Sequence, residues 1–143
     1  MEISIRHMEI SDAPSVTELS GQLGYYNTID ETELRIGEML QYNYSCLFVA
    51  VCNGQVTGWV HGCLVTRLES GSFAEIGGIV VNQSFRQQGI GKLLVEAVAT
   101  WANEKGITKL RVRCNTNRPA SHRFYQNLGF TLNKEQKVFD KGL

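Results

Sequence analysis

The spacing of apolar and polar positions changes several times along the chain, and each change marks an element. Ile3–His7 alternates as a short strand, and Ser11-Asp12 then offers capping side chains ahead of a helix carrying Val16, Leu19 and Leu23. A second helical stretch, about 31–41, has Leu34, Met39 and Leu40 as its apolar candidates. The apolar runs 47–52 and 56–64 flank Asn53-Gly54. That pair readily takes positive φ angles, so a hairpin is predicted, with the run 75–81 following antiparallel. From about 88 to 105, Ile90, Leu94, Val98 and Trp101 recur every three or four residues, with Lys92, Glu96 and Asn103 opposite. An amphipathic helix stopped by Gly106 is the reading. Lys109, Arg111 and Arg113 then alternate with Leu110, Val112 and Cys114, as in a strand with one buried face. The basic face either meets phosphates or is simply solvated, and the solvated reading is favoured. Ala120, Phe124 and Leu128 make a helical stripe behind Pro119, with Gly129 past its end. The runs 130–132 and 137–140 read as closing strands. No repeat, linker or low-complexity segment interrupts the order, which predicts one domain, residues 1–143, of α/β (α+β) class. Its sheet is expected to be mixed, mainly antiparallel and flanked by helices.

Composition narrows the functional classes. In 143 residues, Lys plus Arg equals Asp plus Glu at 14 each, so the general basicity of a nucleic-acid binder is missing. The start lacks a basic signal-peptide pattern, and the longest apolar run, Cys46 to Cys52, is too short to span a bilayer. The expectation is a cytoplasmic protein with no nucleic-acid or membrane partner. Cys46, Cys52, Cys63 and Cys114 are scattered without Cys-x-x-Cys spacing, as expected of reduced core thiols rather than metal ligands or a disulfide framework.

One junction carries chemistry. Arg86-Gln87-Gln88-Gly89-Ile90-Gly91 follows the strand-like run Glu75–Val81 and opens the long amphipathic helix. The first turn of a helix has backbone N–H groups without partners, and the helix dipole adds partial positive charge, so phosphate is a natural ligand. Glycines let an anion approach without interference from Cβ. A dinucleotide fingerprint fails because its third small residue is Leu94, and a P-loop fails because Gly91-Lys92 is followed by Leu93.

Arg86, Gly89 and Gly91 fit the signature Arg or Gln, two residues, Gly, one residue, Gly or Ala, which resembles the acetyl-CoA site of the GNAT superfamily of acetyltransferases. The segment Asn117 to Phe130 is similar to that family's Asn-x-x-Ala-x-x-x-Tyr-x-x-x-Gly-Phe pattern. The two motifs cover about the C-terminal half of the chain in family order. The resemblance implies a twisted sheet splayed between its fourth and fifth strands and acetyl-CoA as co-substrate, and with the cysteines scattered no metal is expected. It places the backbone of Ile79, Val80 and Val81 beside the pantetheine arm. The amides of Gln87, Gln88, Gly89, Ile90, Gly91 and Lys92 fall around the pyrophosphate, and Asn117 at a cofactor contact. An N-cap role suits Asn117 almost as well.

Acetyl transfer to an amine requires a neutral nucleophile, a polarised thioester carbonyl and a proton for the leaving thiolate. Gly77-Gly78 inside an apolar strand reads as a bulge or a close approach of another backbone, and many family members carry an acidic residue at one of these positions. Glu75 stands fourteen residues before Gly89, the spacing at which histone-type members carry a catalytic glutamate. It is either the general base, directly or through water, or a solvent-facing strand-end carboxylate. Alternation puts it on the face of Gly77 and Ile79 unless the bulge resets the parity. Tyr125 matches the family tyrosine four residues before Gly-Phe and is the candidate acid for the thiolate. The stripe Ala120, Phe124, Leu128 leaves it one residue off the core. His122 ranks below Glu75 as a base, and His7 and His61 have no motif support.

The acceptor is expected to be a small-molecule or peptide primary amine. Asp30, Glu31, Glu33 and Glu38 would attract a polyamine, aminoglycoside or lysine, although a solvated helix face explains them as well. A ribosomal-protein N-terminus is equally open, and a homodimer is compatible with the reading. The alternative from another class is a catalytically idle acyl-CoA-binding sensor, since a phosphate cradle survives without a base.

Overall fold

In the computed structural model, residues 2–143 are described, and they divide into two compact units, one running to Val112 and the other Arg113–Leu143. The first holds strand β1 (Ile3–His7), a 3₁₀ turn (Ile10–Asp12) and helices α1 (Ala13–Gly21) and α2 (Ile29–Met39). Strands β2 (Ser45–Cys52), β3 (Gln55–Arg67) and β4 (Gly71–Val81) follow, then a second 3₁₀ turn (Gln83–Phe85), helix α3 (Ile90–Glu104) and strand β5 (Leu110–Val112). The strands form one open sheet in the order β1-β2-β3-β4-β5. The first four pair antiparallel, and β5 joins β4 in parallel. The mixed, mainly antiparallel sheet is therefore the one expected.

Local chemistry explains the boundaries. Asn53 and Gly54 take φ angles of 52° and 75°, which closes the β2–β3 hairpin in a tight turn. α2 starts at Ile29, ahead of the expected position, because Thr28 and Glu31 form a reciprocal capping box. Its buried face differs from the expected one in part. Leu34 is 75% exposed and Leu40 half exposed, while Thr32 and Ile36 are buried and Met39 packs on the core. Asp12 does not cap α1 with its side chain. Its carboxylate accepts two hydrogen bonds from Arg6, at 2.8 and 2.9 Å, and one from the Glu9 amide at 2.8 Å.

Register fixes the two faces of the sheet. Gly58, Val60 and Gly62 of β3 face α3, where a Cβ on Gly58 would stand 3.1 Å from Leu94 and one on Gly62 2.7 Å from Val98. On the opposite face, Leu47, Val49 and Trp59 pack with Met8, Ala13, Val16 and Ile36 from the α1 and α2 region.

The second unit contains α4 (Pro119–Asn127), with Pro in the first turn and Gly129 at φ 94° just past the end. Arg113 donates a hydrogen bond of 3.0 Å to Gln136, tying the start of this unit to its tail. The closing strands expected at 130–132 and 137–140 are not formed. A strand needs a partner for its backbone groups. Leu132, Val138 and Phe139 are instead largely exposed on unpaired chain.

Candidate functional site

The bulge predicted at Gly77-Gly78 is present. His61 pairs with Gly78 and Gly62 with Ile76, so Gly77 is the extra residue of β4. The parity is reset: Glu75, across from Cys63, now shares a face with Gly78, Val80 and Trp59, whereas Ile79 lies with Val60 on the α3 face. The expected grouping of Glu75 with Ile79 is therefore corrected. Parallel pairing of β4 with β5 ends at Ile76 and Val112, and β4 runs on through Gly77–Val81 with no strand on that edge among the described residues. The sheet is splayed between the fourth and fifth strands, as expected. The edge this leaves presents backbone donors and acceptors along 77–81.

Beyond β4, Asn82 accepts a hydrogen bond of 3.0 Å from the Ser84 amide and starts the 3₁₀ turn. Gln87 and Gly89 both take left-handed angles, φ 64° and 82°, and Gly89 caps α3 without any side-chain bond. Alternating backbone hands of this kind turn successive amides toward one point and make an anion cradle, here at a helix N-terminus. A Cβ on Gly89 would meet nothing within 4 Å, so the space in front of the loop is open. Arg86, Gln87 and Gln88 are exposed around it. Backbone and space thus fit a pyrophosphate. Glu75, Ile79, Val80, Val81 and residues 86–92 all belong to the first unit.

Tyr125, Asn117 and His122 belong to the second. Tyr125 is the buried residue of α4, with Phe124 half buried and Ala120 exposed, so the expected core stripe is inverted. Its ring sits edge-on to Phe124 and Phe130, with centroids 4.9 and 5.6 Å away, and this aromatic packing outweighs the Ala120 stripe on a two-turn helix. Burial, reinforced by Cys114, raises its pKa, so the phenol stays a proton donor at neutral pH. The N-cap of α4 is Arg118, which removes the capping role for Asn117. His122 lies 2.9 Å through Nε2 from the Asn115 carbonyl, a bond in which that nitrogen donates and has no lone pair left for a base. Three of the thiols are poor nucleophiles: burial pushes Cys46 up to about 12 and also raises Cys63 and Cys114.

Two residues outside the motifs stand at the bulge. A Cβ on Gly77 would lie 2.9 Å from Nδ1 of His61, and one on Gly78 2.9 Å from the Trp59 ring. These rings occupy the volume that side chains at 77 and 78 would need. Trp59 Nε1 and His61 Nε2 are buried and have no hydrogen-bond partner among the described residues. The alternation Trp59-x-His61-x-Cys63 facing a double glycine is the signal that would have found them.

Comparison with known proteins agrees with this geometry. The profile of the acetyltransferase (GNAT) family matches residues 12–130. The chain is 30% identical over 106 residues to an aminoglycoside N(6')-acetyltransferase type 1 from Salmonella typhimurium, covering 71% of this chain and 73% of that one. It is 27% identical to the Klebsiella aerogenes protein of the same name, covering 97% and 96%. Among solved structures, the aminoglycoside acetyltransferase AAC(6')-Iy bound to the bisubstrate analogue CoA-S-monomethyl-acetylneamine superposes with a TM-score of 0.87 at 25% identity, with 100% of both chains covered. Glucosamine-6-phosphate N-acetyltransferase from Arabidopsis thaliana gives 0.82 at 25%, covering 98% of this chain and 100% of that one.

Proposed function

Because the chain belongs to the GNAT family of acetyltransferases and is an N-acetyltransferase, we propose that it moves an acetyl group from acetyl-CoA to a primary amine of a small molecule by direct attack in a ternary complex. The observation that carries this reading is the left-handed Gln87–Gly89 loop at the N-terminus of α3, adjoining a β4 edge splayed open at Gly77. The two units act together as one acetyltransferase domain. The amides of residues 87–92, flanked by the Arg86 guanidinium, hold the pyrophosphate, and the edge of Ile79, Val80 and Val81 extends alongside the pantetheine arm as an added strand would. Asn117 contributes a further polar contact to the co-substrate.

Glu75 accepts the amine proton, directly or through water, and Tyr125 gives its hydroxyl proton to the departing thiolate. The acceptor is an aminoglycoside-type amino sugar, a reading supported by the two curated relatives and the AAC(6')-Iy complex. A polycation also suits α2, whose Asp30, Glu31, Glu33 and Glu38 are exposed. No helix among the described residues is long and apolar enough to cross a membrane.

Thiol release from acetyl-CoA with neamine as acceptor tests the reading. Turnover is expected, and tight acetyl-CoA binding without turnover on neamine or any other amine would favour the sensor instead. Gly91→Val should weaken acetyl-CoA binding strongly by calorimetry, because a branched side chain at the second position of α3 crowds the cradle. Unchanged affinity in a folded variant would remove the pyrophosphate assignment. Tyr125→Phe should slow single turnover by on the order of 10² to 10⁴ while acetyl-CoA binding is kept, because the ring still packs and only the hydroxyl is lost. A stable variant with the wild-type single-turnover rate at every pH would make Tyr125 a packing residue.

A further inference from the structure

The β4 bulge leaves two successive positions, Gly77 and Gly78, with no side chain of their own, and β3 fills the space from the adjoining strand. His61 pairs with Gly78, and its Nδ1 edge stands where the Gly77 side chain would be. Among the described residues its buried Nε2 has no partner, and neither has Nε1 of Trp59, two residues earlier on the same face. Buried polar atoms without a partner are rare, and these two belong to the strand that backs the splayed part of β4, where a ligand's polar atoms would satisfy them. The indole can only donate, whereas a neutral imidazole nitrogen can accept.

We infer that His61 is the residue that takes the proton from the acceptor amine, through Nε2, with the Trp59 indole donating to a neighbouring oxygen of the acceptor. The inference rests on the acetyl-transfer reading above and changes one step of it: the proton goes to His61 first, and the Glu75 carboxylate on the same face, across the bulge, offsets the imidazolium charge. The protonated amine gives one proton to Nε2. Its freed lone pair forms the C–N bond to the acetyl carbon, and the C–S bond breaks with its electron pair on sulfur. Sulfur is protonated by Tyr125, and the second proton lost from nitrogen as the amide forms restores the tyrosine through solvent. Imidazolium then returns its proton to water.

The surroundings suit a base. Burial lowers the pKa of His61, so its ring is neutral at physiological pH. The titratable groups on its face are Cys63 and Arg67 on β3, Glu75 on β4, Arg111 on β5 and, just before β5, Lys109 over the Phe73 ring. Arg6 of β1, also on that face, is already paired with Asp12. The acidic residues of α2 are exposed.

Three readouts test the inference. With acetyl-CoA and neamine, His61→Gln should lower kcat by on the order of 10² to 10⁴ and remove an acidic limb lying below the ordinary histidine pKa, with acetyl-CoA affinity kept. Added imidazole should partly restore His61→Ala. A folded His61→Gln with wild-type kcat, or with only a raised KM for neamine and the limb intact, overturns the proton role. For the wild-type protein, ¹⁵N-histidine NMR should show Nε2 of His61 unprotonated at pH 7 and shifted when CoA and neamine are added together. This measurement decides the inference even if the variants fail to fold, and an unshifted Nε2 overturns it. Wild-type protein that releases no CoA with neamine would overturn the aminoglycoside reading, and the kinetic and NMR readouts on His61 are then taken with the amine of a panel that does release CoA.

Discussion

Glycine does opposite work on the two faces of this sheet. Toward α3, Gly58 and Gly62 are absences filled by the helix: added Cβ atoms would press on Leu94 and Ile90 at 3.1 and 3.3 Å, and on Val98 and Cys46 at 2.7 and 2.9 Å. All of these neighbours except the Val80 carbonyl beside Gly58 are apolar or thiol side chains, and Ile90, Leu94 and Val98 have almost no exposed surface. Toward the other face, Gly77 and Gly78 are absences filled by His61 and Trp59, each with a buried nitrogen that has no hydrogen-bond partner among the described residues. The first pair lets a helix come close enough to seal a core. The second lets two polar-tipped rings lie against an unpaired edge. Close packing is common to both, and only the second leaves hydrogen-bonding capacity unused, which is what separates a core from a site.

Gly62→Ala against Gly77→Ala breaks this comparison if it is wrong. The alanine methyl at 62 has nowhere to go between Val98 and Cys46, and overpacking of this kind costs about 1–3 kcal/mol. Thermal unfolding should register the loss, while the folded fraction keeps wild-type turnover, because Gly62 touches no reacting group. The methyl at 77 meets only the edge of an imidazole beside an exposed glycine, so stability should move less and turnover more, as the His61 ring is pushed aside. Equal losses of stability with equal losses of turnover would mean that the two faces differ in nothing that matters for function.

The same contrast explains what the sequence disclosed. The helix–loop site was legible because backbone conformation leaves marks in sequence: glycine at the left-handed position 89, a strand before it and an amphipathic run after it. The bulge was legible because two glycines rarely sit inside an apolar strand. Face assignment beyond it was not, because one inserted residue inverts every later side chain, and only register reveals that. His61 and Trp59 were missed because the partner that gives them meaning lies on the next strand. On α4, a stripe of three apolar residues pointed away from Tyr125, yet the ring with the larger area won the buried position. The tail differs in the other direction, since alternation in 130–140 forms no strand.

The smallest expected effect lies at the edge of the polar-tipped face, where Asp12 is buried and bound by Arg6, whose side chain is still 42% exposed. The hydrogen bonds from Arg6, together with the Glu9 amide, hold the Asp12 carboxyl below the usual aspartate range despite its burial. A depressed carboxyl contributes stability that is fully present above its unfolded pKa of about 4 and is lost as pH falls through the folded value. Wild-type protein should therefore lose this contribution progressively below about pH 4. Asp12→Asn keeps the shape but not the charge, and it leaves Arg6 without its carboxylate. Because Arg6 reaches water, the loss at pH 7 should be about 1–2 kcal/mol rather than the 3–5 of a fully buried pair. The two proteins should converge in urea unfolding as pH falls through the depressed folded pKa of Asp12, below which it is protonated in both folded and unfolded wild type. Turnover of folded Asp12→Asn should match wild type, since the pair anchors β1 to the turn before α1 and touches nothing at the bulge. A constant stability gap from pH 7 to pH 2 would show that the pair acts through shape alone, and that the ordinary chemistry of a charged anchor plays no part on this face.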